Sequence, residues 1–168
     1  EAYLGLTAFN IFFRRMKGKE SFNWDLYGGT TVLMRYTLRL LTTQQYERAA
    51  SLICACDLIR KENVIDLGDE SISIGLWVGG ASTPNKNTEA RTKYKNLVWK
   101  DSEPYNFTVM KCPCCSSQIG KLDKASKSEK IKGLKVRDGR NGRVVFQCGN
   151  SECEYANEEL PLTVVDDY

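Results

Sequence analysis

The chain of 168 residues contains no histidine and only four prolines. Without an imidazole, a structural metal site in this chain must use thiolates alone, which excludes sites with mixed cysteine and histidine ligands. No apolar run is long enough to cross a bilayer, because the densest one, Ile11–Phe13, is followed directly by two arginines. Nothing in the sequence resembles a secretory signal, so we expect a cytoplasmic location and no membrane partner.

Cysteine is present in the pattern of a metal site. Cys112 and Cys115 are separated by two residues, and Cys148 and Cys153 by four. Two such pairs bring four thiolates to a tetrahedral Zn²⁺, whereas disulfides belong to oxidising compartments. A four-thiolate site leaves no open position for water or substrate, so we expect structural zinc without catalysis.

The remaining cysteines have simpler interpretations. Cys114 could replace Cys115 in the ligand set, but only Cys112 with Cys115 gives the two-residue gap of a zinc knuckle. Cys54 and Cys56 lie in an apolar, helix-like stretch, where a free cysteine usually behaves as a small hydrophobe. We expect both to be core residues.

Hydrophobic periodicity predicts an α/β protein. Helical spacing extends over residues 4–17, and 30–36 is β-branched and apolar enough for a buried strand. A second helix carries an apolar face over 49–59, 71–78 alternates like a strand, and 87–99 gives a weaker helical pattern. Strand, helix and strand in this order predict a right-handed βαβ unit with parallel pairing.

Local signals add boundaries to this scheme. Thr42 and Gln45 form a capping box, which predicts that the second helix begins there. We assign residues 1–103 to the α/β domain, 104–158 to a zinc-ribbon insert and 159–168 to a return strand.

Charge is distributed unevenly along the chain. The net charge is only +3, but the segment from Lys121 to Arg143 contains nine lysines and arginines and only three acidic residues. This segment is either a nucleic-acid contact or a solvated loop. Trp77 and Trp99 lie within regular patterns, which indicates packing. Tyr36 is either a candidate for base stacking or a core residue that closes the predicted buried strand.

The turn over residues 35–45 follows the first predicted strand and enters a helix, where open α/β sheets bind ligands. It resembles motif Ia of superfamily 2 helicases, in which a Pro-Thr-Arg turn precedes leucine and glutamine. Arg39, Leu41 and Gln44 stand at the matching offsets, and Thr37 stands where the motif has proline. The resemblance implies nucleic-acid contacts by Thr37, Arg39 and Gln44.

A wider resemblance covers most of the chain. It is similar to the DrmA-like helicases of the DISARM antiphage system. The matching segments are the cysteine pairs and residues 1–6, 35–48, 75–80, 83–85 and 164–167. This implies a partial RecA-like parallel sheet with flanking helices and a zinc-ribbon insert, as a fragment of a first RecA-like domain.

The resemblance also implies that a Gly-Lys-Thr phosphate loop directly precedes the counterpart of Glu1. ATP and magnesium would then bind only in a longer parent protein, and the isolated chain would not be an ATPase. Asp166 and Asp167 follow an apolar strand pattern, as the acids of a Mg²⁺ box do, but the resemblance places that box further along the chain.

Three functional hypotheses remain. The first is a fragment of an ATP-dependent DNA helicase or translocase that contacts single-stranded DNA through motif Ia. The second is a stand-alone nucleic-acid-binding module that uses Lys121–Arg143. The third is a zinc-stabilised domain that docks a partner protein, such as another component of a defence system.

Overall fold

The computed structural model describes residues 2–20, 28–35, 39–78, 83–122, 130–137 and 142–165, except the side chains of 39–43. The chain divides into two compact units, Glu1–Ile74 and Gly75–Tyr168. None of the described helices is long and apolar enough to cross a membrane.

The described part of the first unit is built from three helices. They are α1 (Ala2–Glu20), α2 (Arg39–Glu62) and the short α3 (Val64–Leu67). Its hydrophobic core joins Ile11 of α1 to Ile53 and Cys56 of α2 and to Ile72. Cys54 is also buried, so the assignment of both central cysteines to the core is confirmed.

Arg15 connects α1 to the chain after α3. Its guanidinium donates hydrogen bonds to the carbonyl oxygens of Leu67 at 2.9 Å and Glu70 at 2.6 Å. The side chain is buried. These bonds satisfy a buried cation that would otherwise be costly to remove from water.

The buried strand expected over residues 30–36 is wrong in its described part. Residues 30–35 form no regular element, and Leu33 is 89% exposed. A strand needs a neighbour to pair its backbone groups, and the described residues offer none to this segment. Tyr36 lies outside the described residues.

The second helix was predicted correctly except for its start. α2 already includes Arg39, three residues before the predicted N-cap at Thr42. Arginine and leucine are good helix formers, which favours the extension towards the amino terminus.

The alternation over residues 71–78 is confirmed by burial. Ile72 and Leu76 are buried while their neighbours are exposed or half-buried. Only Ile74–Gly75 forms a regular strand, β1.

In the residues that the structure describes, the second unit contains α4 (Asn87–Trp99) and five strands after β1. The strands are β2 (Gly120–Lys121), β3 (Ile131–Lys132), β4 (Leu134–Val136), β5 (Val144–Phe146) and β6 (Leu162–Thr163). The helix predicted over 87–99 is confirmed.

Together with β1, these strands make three two-stranded sheets in the described part of the chain. β2 pairs with β3 and β4 with β5, both antiparallel, and α4 packs against β5. β1 pairs with β6 in a small parallel sheet, and the Leu76 N–H donates to the Thr163 carbonyl at 2.9 Å. The fold of the described residues is therefore mixed helix and small sheets, and a full RecA-like parallel sheet is not among them.

Candidate metal centre and nucleic-acid contacts

The first cysteine pair lies in a tight hairpin turn. The Cys112 N–H donates to the Ser117 carbonyl and the Ser116 N–H to the Cys112 carbonyl, both at 2.8 Å. Ser116 has a φ of +63°, which turns the chain back. An isolated bridge between Lys111 and Gln118 closes the hairpin. Reciprocal backbone bonds of this kind fix the direction in which the two sulfurs point.

The second pair lies in a longer turn that follows β5. The Cys153 N–H donates to the Asn150 carbonyl at 3.1 Å, and the Cys148 N–H donates to the Tyr155 carbonyl at 3.3 Å. The Asn150 N–H points to the Cys148 sulfur at 3.4 Å. This bond compensates negative charge on the sulfur, as backbone donors do around thiolates. The four-residue gap is thus accommodated by a turn with its own hydrogen bonds.

The four sulfurs predicted as ligands lie together. All are within 4.8 Å of one another, with Cys112 Sγ 3.9 Å from Cys153 Sγ and Cys115 Sγ 3.4 Å from Cys148 Sγ. Four thiolates bound tetrahedrally at ~2.3 Å from zinc would be separated by about 3.8 Å. The arrangement could therefore hold a metal ion and is compatible with zinc.

Cys114 is not a member of this group. Its side chain is exposed, whereas Cys112, Cys148 and Cys153 are buried and Cys115 is half-buried. Consecutive residues in the turn point their side chains in different directions, so only one of Cys114 and Cys115 can face inwards with Cys112. The structure brings Cys115 into the group.

The thiols influence one another electrostatically. Burial raises the pKa of Cys112, Cys148 and Cys153. Burial also acts to raise the pKa of Cys115, but hydrogen bonds with Ser117, Cys148 and Cys153 together outweigh it and lower that pKa to about 6. Four thiolates this close repel one another, and a divalent cation between them would remove that repulsion.

A compact apolar layer supports the two turns. Phe107 and Tyr155 are fully buried, and Ile119 and Phe146 are nearly so. Gly133, between β3 and β4, has a φ of +77°, and a Cβ built there would lie 2.8 Å from Ile119 Cγ1. The second unit is thus closely packed around the strands that carry the cysteines.

The predicted nucleic-acid residues belong to the first unit and are described only in part. Thr37 lies outside the described residues, and Arg39 is the first residue of α2, without a described side chain. Gln44 is exposed on α2. Asp166 and Asp167 also lie outside the described residues.

Several cations of the basic segment are engaged within the second unit. Arg137 Nε and Arg143 Nη2 contact opposite oxygens of the Glu159 carboxylate at 3.1 and 3.0 Å. Lys130 Nζ lies 2.6 Å from the Asp101 carboxylate, and Lys121 donates to backbone carbonyls that include Glu103. Residues 123–129 and 138–141 lie outside the described part of the chain. Part of the basic character of the segment is therefore neutralised by neighbouring groups.

The expectation that Trp77 and Trp99 are packing residues is wrong. Trp77 is 85% exposed and Trp99 is 80% exposed, so neither packs into the core as expected. The positions of both residues in the patterns already indicated exposure. Trp77 is an odd number of residues from buried Ile72 and Leu76, so its side chain lies on the opposite face of this extended segment. Trp99 lies two residues after buried Leu97, about 200° around the helix, and therefore on the opposite face of α4.

The comparison with known proteins gives one strong similarity. The chain is 34% identical to the DISARM protein DrmA of Bacillus paralicheniformis over 173 aligned residues. The alignment covers 99% of this chain and 15% of that protein, so the chain spans a small part of the relative's length. No protein-family model matches the chain. The similarity to DrmA inferred from the motifs is confirmed.

Proposed function

We propose that this chain is part of the first RecA-like domain of a DrmA-like, ATP-dependent DNA helicase or translocase. The observation that carries the proposal is the 34% identity to DrmA along 99% of the chain. Such a protein would act in the cytoplasm, with single-stranded DNA as its partner and other defence-system proteins as further ones. The ATP and magnesium sites would be completed outside this chain, which by itself would not hydrolyse ATP.

An exposed apolar face supports the assignment to a larger α/β domain. Leu6, Phe9, Phe13 and Met16 recur at helical spacing on α1, and all are exposed. Helices of α/β domains bury such stripes against a sheet. In a longer protein this face and the apolar segment around Leu33 would pack against the full parallel sheet, of which the described residues contain only the small β1–β6 pair.

The four-cysteine group is proposed to hold a structural zinc ion. Cys112, Cys115, Cys148 and Cys153 would fill a tetrahedral coordination sphere around zinc, which would leave no position for a reacting water. The ion would hold two turns that are distant in sequence and would thereby position the strands between them. Its contribution is to folding and not to chemistry.

The proposed nucleic-acid contacts lie at the amino terminus of α2. Arg39 stands at the first helical position, where unpaired N–H groups and the helix dipole favour a phosphate. Thr37 and Gln44 flank it in the sequence. We assign these three residues to contacts with the backbone of single-stranded DNA, as motif Ia implies.

The test of this function uses a protein that contains the chain together with its ATP-binding segment. DNA-stimulated ATP hydrolysis is expected, and Arg39→Ala should weaken single-strand binding and reduce the salt slope by about 0.7, one phosphate contact. Arg48→Ala is the matched control, because Arg48 is an exposed arginine further along the same helix. Equal behaviour of the two variants would remove Arg39 from the site. Absence of DNA-stimulated hydrolysis would reject the helicase assignment.

The alternative is a stand-alone zinc-ribbon module without catalysis, which binds nucleic acid or a protein. Exposed Lys135, on β4, favours a contact in this region. Reversal of the charges in Lys121–Arg143 should abolish nucleic-acid binding under this alternative, while Arg39→Ala should have little effect. The engagement of Arg137 and Arg143 by Glu159 weighs against it.

A further inference from the structure

The outer face of α4 differs in chemistry from its inner face. Ala90 and Leu97 are buried, and they fix the side of the helix that packs. The opposite side presents Thr88, Thr92, Lys95 and Trp99, which recur at four, three and four residues and are all exposed. We call these four residues the α4 stripe. It ends in an indole at the carboxyl end of the helix.

The α4 stripe is bordered by cations. Arg91 and Lys100 flank it, and Lys86 precedes the helix. Glu89 is the one acidic residue of α4, and its carboxylate lies 3.7 Å from Lys93 Nζ and 3.2 Å from the backbone nitrogen of Asn85. The helix therefore carries an excess of positive charge, and its acid is already engaged.

We propose that the α4 stripe binds single-stranded nucleic acid, with Trp99 stacking on a base and Lys95 and Lys100 contacting neighbouring phosphates. This rests on the proposed function, because it assumes that the chain works on nucleic acid, and it adds a second contact besides motif Ia. An exposed indole among lysines offers the two interactions that single strands require, a flat apolar surface and positive charge.

The chemistry of the stripe favours a single strand over other occupants. Bases of a duplex are stacked on one another and cannot lie on an indole, whereas those of a single strand can. A hydrophobic protein partner would require a wider apolar patch, but Trp99 is the only large apolar side chain of the stripe, next to Lys95 and two threonines.

The test measures binding of labelled oligothymidylate to the zinc-loaded chain by fluorescence anisotropy over a range of salt concentrations. Trp99→Ala should weaken binding about 5- to 150-fold without changing the salt slope, because lost stacking releases no counterions. Lys95→Gln should weaken binding and reduce the slope by about 0.7. Circular dichroism and zinc content confirm that each variant is folded.

Two further variants separate stacking from a structural role. Trp99→Phe should retain most of the affinity but lose the part of the indole fluorescence that oligothymidylate quenches. Trp77→Ala is the matched control, since Trp77 is equally exposed but the strand that precedes it, β1, carries no cation. The Trp77→Ala variant should bind oligothymidylate as tightly as the unmodified chain does.

The outcomes distinguish the two proposals. If Trp99→Ala binds like the unmodified chain while Arg39→Ala binds weakly, the α4 stripe is rejected and the helicase assignment stands. If Trp99→Ala changes only self-association in size-exclusion chromatography, the stripe is a protein contact and the proposal is wrong. If the unmodified chain does not bind oligothymidylate at low salt, the stripe is rejected, and DNA-stimulated ATP hydrolysis by the longer protein decides the proposed function separately.

Discussion

Asp57 and Arg60, one turn apart on α2, form a buried ion pair in which Arg60 Nε lies 2.7 Å from Asp57 Oδ1. The carboxylate also accepts hydrogen bonds from the Ile72 N–H at 2.8 Å and the Ser71 hydroxyl at 3.2 Å. The guanidinium donates to the Asp69 carbonyl at 3.1 Å. The pair thus ties α2 to the chain that leads into β1. A buried pair with its remaining hydrogen bonds satisfied is costly to break from one side.

We therefore expect Asp57→Asn to destabilise the first unit by about 3–5 kcal/mol, because Arg60 would remain buried without its counter-charge. Urea unfolding and hydrogen exchange of the α2 amides measure this loss. Asp66→Asn is the control, since Asp66 pairs with Lys19 at the surface and should contribute less than about 1 kcal/mol. Equal losses in the two variants would contradict a special role for the buried pair.

The same carboxylate predicts a dependence on pH. Burial acts to raise the pKa of Asp57, but the bonds from Arg60, Ile72 and Ser71 outweigh it and lower that pKa. A group whose pKa is lowered on folding stabilises the protein above its unfolded value, about 3.9 for aspartate. This contribution is lost as the pH falls from there through the lower folded pKa.

Unfolding measured between pH 2 and pH 6 should show this loss in the unmodified chain. The Asp57→Asn variant lacks the titrating group, so the difference in stability between the two proteins should shrink as the pH falls below 4. Comparison of the two proteins cancels the effect of acid on the cysteines. A difference that does not change with pH would show that folding does not shift the pKa of Asp57, which would contradict the prediction.

The sequence predicted those parts of the fold that depend on near neighbours. Helical spacing identified α1, α2 and α4, and alternation identified which side of residues 71–78 is buried. The expected strand over 30–36 depends on partners that neighbouring residues cannot supply, so its apolar composition did not determine its structure. Among the described residues, the parallel pairing joins β1 to β6, two elements distant in sequence.

The candidate metal site was likewise predicted where it depends on residues that are close in sequence. Short cysteine spacings encode local turns, and the structure brings the four predicted sulfurs together. The direction of Cys114 depends on the dihedral angles of the turn, which spacing leaves open. Trp77 and Trp99 were assigned to packing because they lie within regular patterns, although their positions in those patterns already placed them opposite the buried residues.

Adjacent cysteines of the first turn provide a sharp test of the metal site. Cys115→Ser should lose bound zinc and the cooperative unfolding of the second unit, because structural zinc contributes about 10–16 kcal/mol of apparent binding energy in small domains. Cys114→Ser should keep one equivalent of zinc, since its side chain is exposed outside the group. Zinc analysis after dialysis, and the thiolate-to-cobalt absorption after metal replacement, measure both. Zinc loss from Cys114→Ser alone would reverse the ligand assignment.

Two glycines of opposite environment give a last prediction. At Gly133, the positive φ and the contacts of a new Cβ with Ile119 and the Gln147 carbonyl oppose any side chain. Gly133→Ala should therefore destabilise the second unit by about 1–3 kcal/mol. At Gly5, inside α1, a new Cβ meets nothing within 4 Å, and alanine is the better helix former.

Gly5→Ala should accordingly stabilise the first unit by about 0.5–1 kcal/mol. Urea unfolding of the zinc-loaded variants, with circular dichroism as the probe of helix, gives the sign of each change. Opposite signs would show that the turn between β3 and β4 requires a glycine while α1 only tolerates one. A neutral Gly133→Ala would mean that β4 can move away from Ile119, and the rigid support expected for the cysteine turns would then be absent.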